Sequence, residues 1–221
     1  FGGKQYNEYF EDIYVGYRWF ETFDREKVLF PFGSGLSYTT FEKSFEKEGL
    51  SWNVTVTNTG ACAGKQVVQL YAQAPQGKLG KAARVLVGFA KTGKLEPGAS
   101  ETVEISFGLD RIASFDDVGC VAADAYVLEA GSYKFWLGDN VRDAACIADT
   151  YEVAEDTVVE QLSAKCVPHN LTRRMKADGT YEELDMPKDS RTPFAGNPAL
   201  PLHGSVMPPR EYPYPIHRNR D

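Results

Sequence analysis

Several things are scarce or missing in this sequence. No run of 18 or more uncharged apolar residues occurs, which excludes a membrane-spanning helix. With 24 Lys and Arg against 31 Asp and Glu the net charge is −7, so neither nucleic acid nor an anionic membrane, both of which reward clustered Lys and Arg, is an expected partner. The four cysteines, Cys62, Cys120, Cys146 and Cys166, form no CxxC pair. A chain of 221 residues can bury a core without disulfide staples, and the expectation is four reduced thiols in a cytoplasmic protein, with one disulfide as the alternative. Only three histidines are present, His169, His203 and His217, spaced 34 and 14 residues apart with no HxxxH pattern. All three fall in a Pro-rich stretch that is ill suited to hold a general base within about 3 Å of a nucleophile. GxSxG is missing as well, so neither nucleophilic catalysis nor metal chemistry is expected, and no cofactor.

What is present is globular, with 43% apolar and 13% aromatic residues, enough to exclude a wholly disordered chain. Three zones differ in composition. Residues 1–37 are aromatic-rich and end in Pro31-Phe32-Gly33-Ser34-Gly35-Leu36-Ser37. Residues 38–153 alternate apolar and polar. Residues 154–221 hold nine of the twelve prolines.

The middle zone carries the fold. In Trp52-Asn53-Val54-Thr55-Val56-Thr57 every second residue is apolar, the mark of a strand with one buried face. Val68, Leu70 and Ala72 repeat the pattern, as do Val85, Val87 and Phe89, then Val103, Ile105 and Phe107. Tyr126 and Leu128 lead through a turn at Gly131-Ser132 to Tyr133, Phe135 and Leu137, and Tyr151–Val153 makes a last strand. Leu95-Glu96-Pro97-Gly98 has Pro and Gly where a tight turn wants them. Seven or so short strands at this spacing predict an all-β, immunoglobulin or fibronectin type III-like sandwich. Ala154–Leu162 reads as a short helix, and the Pro-rich remainder as an extended arm lying along a neighbouring domain, because its Phe194, Leu200, Tyr212 and Ile216 need a surface.

Each motif has a plain reading beside a functional one. Gly33-Ser34-Gly35 leads into β-patterned sequence, so it reads as a turn and not as a phosphate loop. Glu101 and Glu104 read as the wet side of a strand. Asn53-Val54-Thr55 and Asn170-Leu171-Thr172 fit a glycosylation pattern that recurs by chance. Trp52 shares the face of Val54 and Val56 and reads as core. Trp136 faces away from Tyr133, Phe135 and Leu137, which makes it the candidate sugar contact.

The segments Tyr9-Phe10-Glu11-Asp12-Ile13-Tyr14-Val15-Gly16-Tyr17-Arg18-Trp19-Phe20 and Val28-Leu29-Phe30-Pro31-Phe32-Gly33-Ser34-Gly35-Leu36-Ser37-Tyr38-Thr39-Thr40-Phe41 resemble the C-terminal portion of glycoside hydrolase family 3, the β-glucosidase group. Val54–Gly60, Ala63–Tyr71, Leu86–Phe89 and Leu95–Gly98 are similar to its fibronectin type III-like domain. Ser34 departs from the aromatic common in the family between the two glycines.

The resemblance implies that residues 1–37 close an α/β sandwich domain, that 38–153 form the fibronectin-like domain, and that 154–221 connect onward. Val158–Ser163 and Asp178–Tyr181 resemble the connector of members in which a barrel follows. It implies partners within one parent polypeptide, an α/β sandwich and a barrel that bear the catalytic carboxylates of a retaining β-glucosidase. Neither catalytic motif matches here, so no catalytic residue is assigned. The expected role is a non-catalytic packing module, inactive alone; the alternative is a carbohydrate-binding module using exposed aromatics.

Overall fold

The computed structural model describes residues 9–163 and 173–184, and everything below concerns these. A short helix α1 (Tyr17–Phe23) precedes a series of strands: β1 (Phe41–Glu48), β2 (Ser51–Asn58), β3 (Val67–Gln73), β4 (Val85–Lys91), β5 (Ser100–Ser106), β6 (Ser114–Asp116), β7 (Ala125–Leu128), β8 (Gly131–Gly138), β9 (Ala145–Val153), β10 (Thr157–Gln161), β11 (Arg173–Met175) and β12 (Tyr181–Glu183). Two antiparallel sheets face each other, a three-stranded one in the order β1-β2-β5 and a four-stranded one in the order β4-β3-β8-β9. The chain is the all-β, fibronectin type III-like sandwich that its alternation predicts.

The core lies between these sheets. Trp52, Val54, Val56, Val103 and Ile105 from the smaller sheet meet Val68, Leu70, Phe135, Leu137 and Ile147 from the larger. Trp52, fully buried, stacks on Phe107 at 5.5 Å between centroids and meets the edge of Phe135 at 5.0 Å. Gly88 lies against Ile105, where a Cβ would overlap that side chain, so the sheets approach closely there. The turn after Leu95 forms as its residues demand: the Ala99 N–H reaches the Glu96 carbonyl at 2.9 Å, and Gly98 takes a φ of +79°.

Two local expectations are corrected, for Tyr126–Leu128 and for residues 154–162, and two elements, β1 and α1, lie where the sequence analysis assigned none. β1 is a full partner in the sandwich, although its sequence does not alternate legibly. Its inward positions include Lys43 and Lys47, whose stems cross the open edge to pair with Asp139 at 2.7 Å and Asp149 at 2.5 Å. Inward-pointing lysines also discourage another strand from adding to this edge. Tyr126 and Leu128 lie in β7, which leaves the four-stranded sheet and pairs with β6 and β10 in a separate three-stranded one. Residues 157–161 are strand β10 and not a helix, because β-branched Thr157, Val158 and Val159 meet the open edge of β7. Helix α1 was not foreseen; at seven residues it depends on docking for its stability.

Buried charge holds the side sheet. The Asp116 carboxylate accepts N–H bonds from Gly119 (2.8 Å), Cys120 (3.0 Å), Val121 (2.6 Å) and Ala122 (3.0 Å). Its burial pushes the pKa up, but these four donors outweigh that and hold it below the ordinary value. Glu129 and Lys81, both buried, pair at 2.8 Å, and Lys81 also donates to the Ser114 hydroxyl at 2.7 Å.

Candidate functional site

The outer face of the four-stranded sheet would be a wet surface in an isolated sandwich. Here Tyr71 is fully buried, with Val141 and Ala144 beside it and Tyr17, Leu86 and Trp136 packed around it. The cover is the segment before β1. Tyr17 stacks on Phe32 at 4.2 Å and 15° and turns its edge to Tyr71; its hydroxyl accepts the Leu86 N–H at 2.9 Å. Within the sheet, Gln69 is the polar anchor. Its amide Nε2 donates to the Gly33 carbonyl at 3.1 Å and to the Asp139 carbonyl, while its Oε1 accepts from the Tyr71 hydroxyl at 2.6 Å. The Val141 N–H reaches the Phe32 carbonyl at 3.0 Å. Gly33 has a φ of +86°, and a Cβ there would collide with the Gln69 amide, so this close approach requires glycine.

A charged clamp finishes the attachment. Glu21, buried in α1, receives Arg142 Nε at 2.9 Å and Arg25 Nε at 3.1 Å. Arg142 comes from the loop between β8 and β9 and also donates to the Arg25 carbonyl at 2.6 Å. Burial pushes the Tyr71 hydroxyl pKa well up, with Tyr17 and Glu21 adding to it. Tyr14 is pushed up to about 12 by burial, then by Asp12 and Asp178. The hairpin β11–β12 closes over this region. The Met175 N–H meets the Phe10 carbonyl at 2.7 Å, and Arg174 pairs with Asp117 and Glu182, each at 2.6 Å. Burial raises the Asp12 pKa beside that cluster, against the pull of Arg174.

Beyond its anchors the covering segment turns outward. Leu29 is 89% exposed, Phe30 81% and Tyr38 98%, and Leu36 is fully exposed. By contrast the outer face of β1-β2-β5 presents Ser44, Thr55 and Thr102 in one register row, and Asn53 lies exposed between Glu46 and Glu104.

Trp136, the candidate sugar contact, is on the outer face as its position in β8 implies. It is half-buried, with the Arg84 guanidinium 3.6 Å above its ring centre. Arg84 in turn donates to the Val141 carbonyl, and burial lowers its pKa. Of Gly33-Ser34-Gly35, the first two residues close a turn that begins at Pro31, with the Ser34 N–H on the Pro31 carbonyl at 3.0 Å. Glu104 is on the outer face, where it accepts from the Ser51 hydroxyl at 3.0 Å, but Glu101 is not: it lies opposite Val56, on the side of Val103 and Ile105 near the strand's start, and accepts the Gly93 N–H at 2.8 Å. Cys62, Cys120 and Cys146 are free and exposed. Cys166, the three histidines, Asn170 and the Pro-rich arm beyond residue 184 lie outside the described residues. Among the described residues no group of three or more His, Cys, Asp or Glu side chains gathers as a metal site.

Gln69, Glu21 and Arg142 were missed in the sequence. A signal for Gln69 existed: Val67-Val68-Gln69-Leu70-Tyr71-Ala72 is nearly continuous in apolar residues, the pattern of a strand covered on both faces. For Glu21 and Arg142, 121 residues apart, no sequence signal joins them.

The arrangement has close counterparts. Residues 66–141 match the fibronectin type III-like domain. The chain is 49% identical over 201 residues to β-glucosidase A of Butyrivibrio fibrisolvens, covering 81% of this chain and 24% of that one. A solved β-glucosidase from Paenibacillus barengoltzii superposes with a TM-score of 0.73 at 46% identity, over 83% of this chain and 22% of that one. The glycoside hydrolase family 3 β-glucosidase of Bifidobacterium adolescentis superposes with a TM-score of 0.56 at 29% identity, over 66% of this chain and 21% of that one. The chain thus spans about a quarter of the length of such relatives. It belongs to glycoside hydrolase family 3, as the part of such a polypeptide that carries the fibronectin type III-like domain.

Proposed function

We propose that this chain is a non-catalytic packing module of a retaining β-glucosidase acting on β-linked glucosides, and that it joins the catalytic domains of its parent into one rigid body. The observation that carries this reading is the attachment of residues 14–33 to the outer face of the four-stranded sheet. The family motif before β1 is pinned by Gln69, Arg142 and the Tyr17–Phe32 stack, so it forms part of the sandwich's own packing. A tethered accessory domain would need only a solvated linker; a sandwich fused to its upstream segment transmits orientation.

Support for the parent's activity comes from the relatives, which are β-glucosidases and are about four times as long as the matched region. Two carboxyl groups about 5–5.5 Å apart in a pocket would perform that hydrolysis, one as nucleophile and one as acid/base. Both are assigned to the parent's other domains.

The test has two arms. The purified chain should not turn over an aryl β-glucoside that the full polypeptide hydrolyses. Excision of Phe41–Val153 from the full polypeptide should lower both its melting temperature and its activity. Turnover by the chain alone, or an excised polypeptide as stable and active as the intact one, would sink the reading.

A further inference from the structure

The segment Val28–Phe41 contains no charged residue, in a chain that is one quarter charged. It also displays four large apolar side chains, Leu29, Phe30, Leu36 and Tyr38, each more than 80% exposed. Such a concentration on ten residues is unusual for a surface that stays in water, where isolated apolar side chains are the rule.

These side chains stand on a backbone fixed from behind at both ends. Upstream, the Phe32 carbonyl accepts from Val141 and the Gly33 carbonyl from Gln69, while Phe32 itself stacks on Tyr17. Downstream, the Thr39 hydroxyl donates to Asn58 Oδ1 at 2.6 Å, and the Thr40 carbonyl accepts the Thr59 N–H at 2.9 Å. A loop held this way has already lost its conformational freedom, so binding through it costs little further ordering.

We propose that Leu29, Phe30, Leu36 and Tyr38 form the docking surface of this module, and that its occupant is an apolar, uncharged depression on another domain of the same polypeptide. This rests on the packing-module reading and names the surface through which the packing is made. Two observations select the occupant. The chain covers only 24% of the length of a relative with which it is 49% identical, so most of the parent lies outside it and is available in cis. The lack of any charge between Val28 and Phe41 leaves no ionic partner to attract and would penalise a charged one, whose desolvation nothing would repay.

Chymotrypsin, which cuts after Phe, Tyr and Leu, reads this surface directly. In the full polypeptide, cleavage after Leu29, Leu36 and Tyr38 should be at least about tenfold slower than in the isolated chain, as expected for segments that must open locally to be cut. The double variant Leu36→Asp/Tyr38→Asp should leave the isolated chain's melting temperature within about 1 °C, since exposed substitutions disturb little. In the full polypeptide it should lower the first transition by about 4 °C or more and restore cleavage after Leu29. Val158→Asp, an exposed apolar residue away from the segment, should do neither.

Equal cleavage rates in the two proteins overturn the proposal. Protection already present in the isolated chain also overturns it: if lost on truncation after residue 184, the chain's own arm is the occupant, and if it grows with protein concentration, a second copy is. Where excising Phe41–Val153 inactivates the parent but the segment stays open to protease, the packing-module reading stands and this surface is the wrong one.

Discussion

The two sheets of the sandwich share one core, yet their outer faces differ. The face of β1-β2-β5 is made of hydroxyls and carboxylates that satisfy one another across strands: Thr55 with Thr102 at 2.8 Å, Thr57 with Ser100 at 2.8 Å and Ser51 with Glu104 at 3.0 Å. The face of β4-β3-β8-β9 buries Tyr71 and Gln69 beneath an aromatic segment from before the sandwich. Alternation fixes which residues point out of a sheet, but only the cover decides whether outward means wet. The covered face is therefore where the sandwich is continuous with the segment before β1, and among the described residues the other face has no such cover.

Substitutions on the two faces should separate them sharply. Tyr71→Ala removes a buried ring and the partner of Gln69, and should cost about 3–5 kcal/mol in urea unfolding. A cost below about 1 kcal/mol would mean that the cover is not packed in solution. Arg142→Ala leaves Glu21 buried with only Arg25 and should cost about 2–3 kcal/mol, less than for loss of a sole partner. Gly33→Ala forces a Cβ into the Gln69 amide at a positive φ and should cost about 1–3 kcal/mol. Proton exchange at the Val141 amide should rise with it, because Val141 donates to Phe32 next door. On the bare face Thr55→Val should change stability by no more than about 0.5 kcal/mol. A loss as large as that of Gly33→Ala would show that this face too is covered.

Alkaline titration sharpens the same contrast. The neutral phenol of Tyr14 is favoured in the folded state, where its pKa rises from 10.0 to about 12. Its contribution to stability is complete below pH 10 and is lost as the pH climbs through about 12. Tyr133, in the core and also raised to about 12, behaves alike. Absorbance of tyrosinate near pH 11 should therefore lag behind that of the denatured chain, and the lag should shrink in a Tyr14→Phe variant while its unfolding remains cooperative. An unchanged lag would place Tyr14 in water.

Much of the sandwich could be read from residue order. Trp52, Val54 and Val56 alternate, and so do Tyr133, Phe135 and Leu137, because their outward neighbours stay polar or reach solvent. The turn at Pro97-Gly98 follows from the fixed φ of one residue and the permissive φ of the other. Legibility failed where a long side chain stood in for an apolar one, as with Lys43 and Lys47 in β1, and where a partner edge chose the conformation, as with β10. The docking segment was legible only in part. Its resemblance to the family motif marked residues 28–41 as meaningful, but the aromatic composition alone did not distinguish Phe32, stacked on Tyr17, from Phe30, turned to solvent.

Residue order by itself determined the all-β sandwich and its main turns, because periodicity and local turn chemistry act over a few neighbouring positions; the glycoside hydrolase family was legible only through the resemblance of residues 9–20 and 28–41 to its members. Tertiary structure alone decided that Gln69 and Tyr71 are interior, that Glu21 meets Arg142 across 121 residues, and that Leu29, Phe30, Leu36 and Tyr38 are held outward together. Those outcomes depend on which surfaces meet once the chain has closed on itself, and a pattern two or four residues long carries no record of that.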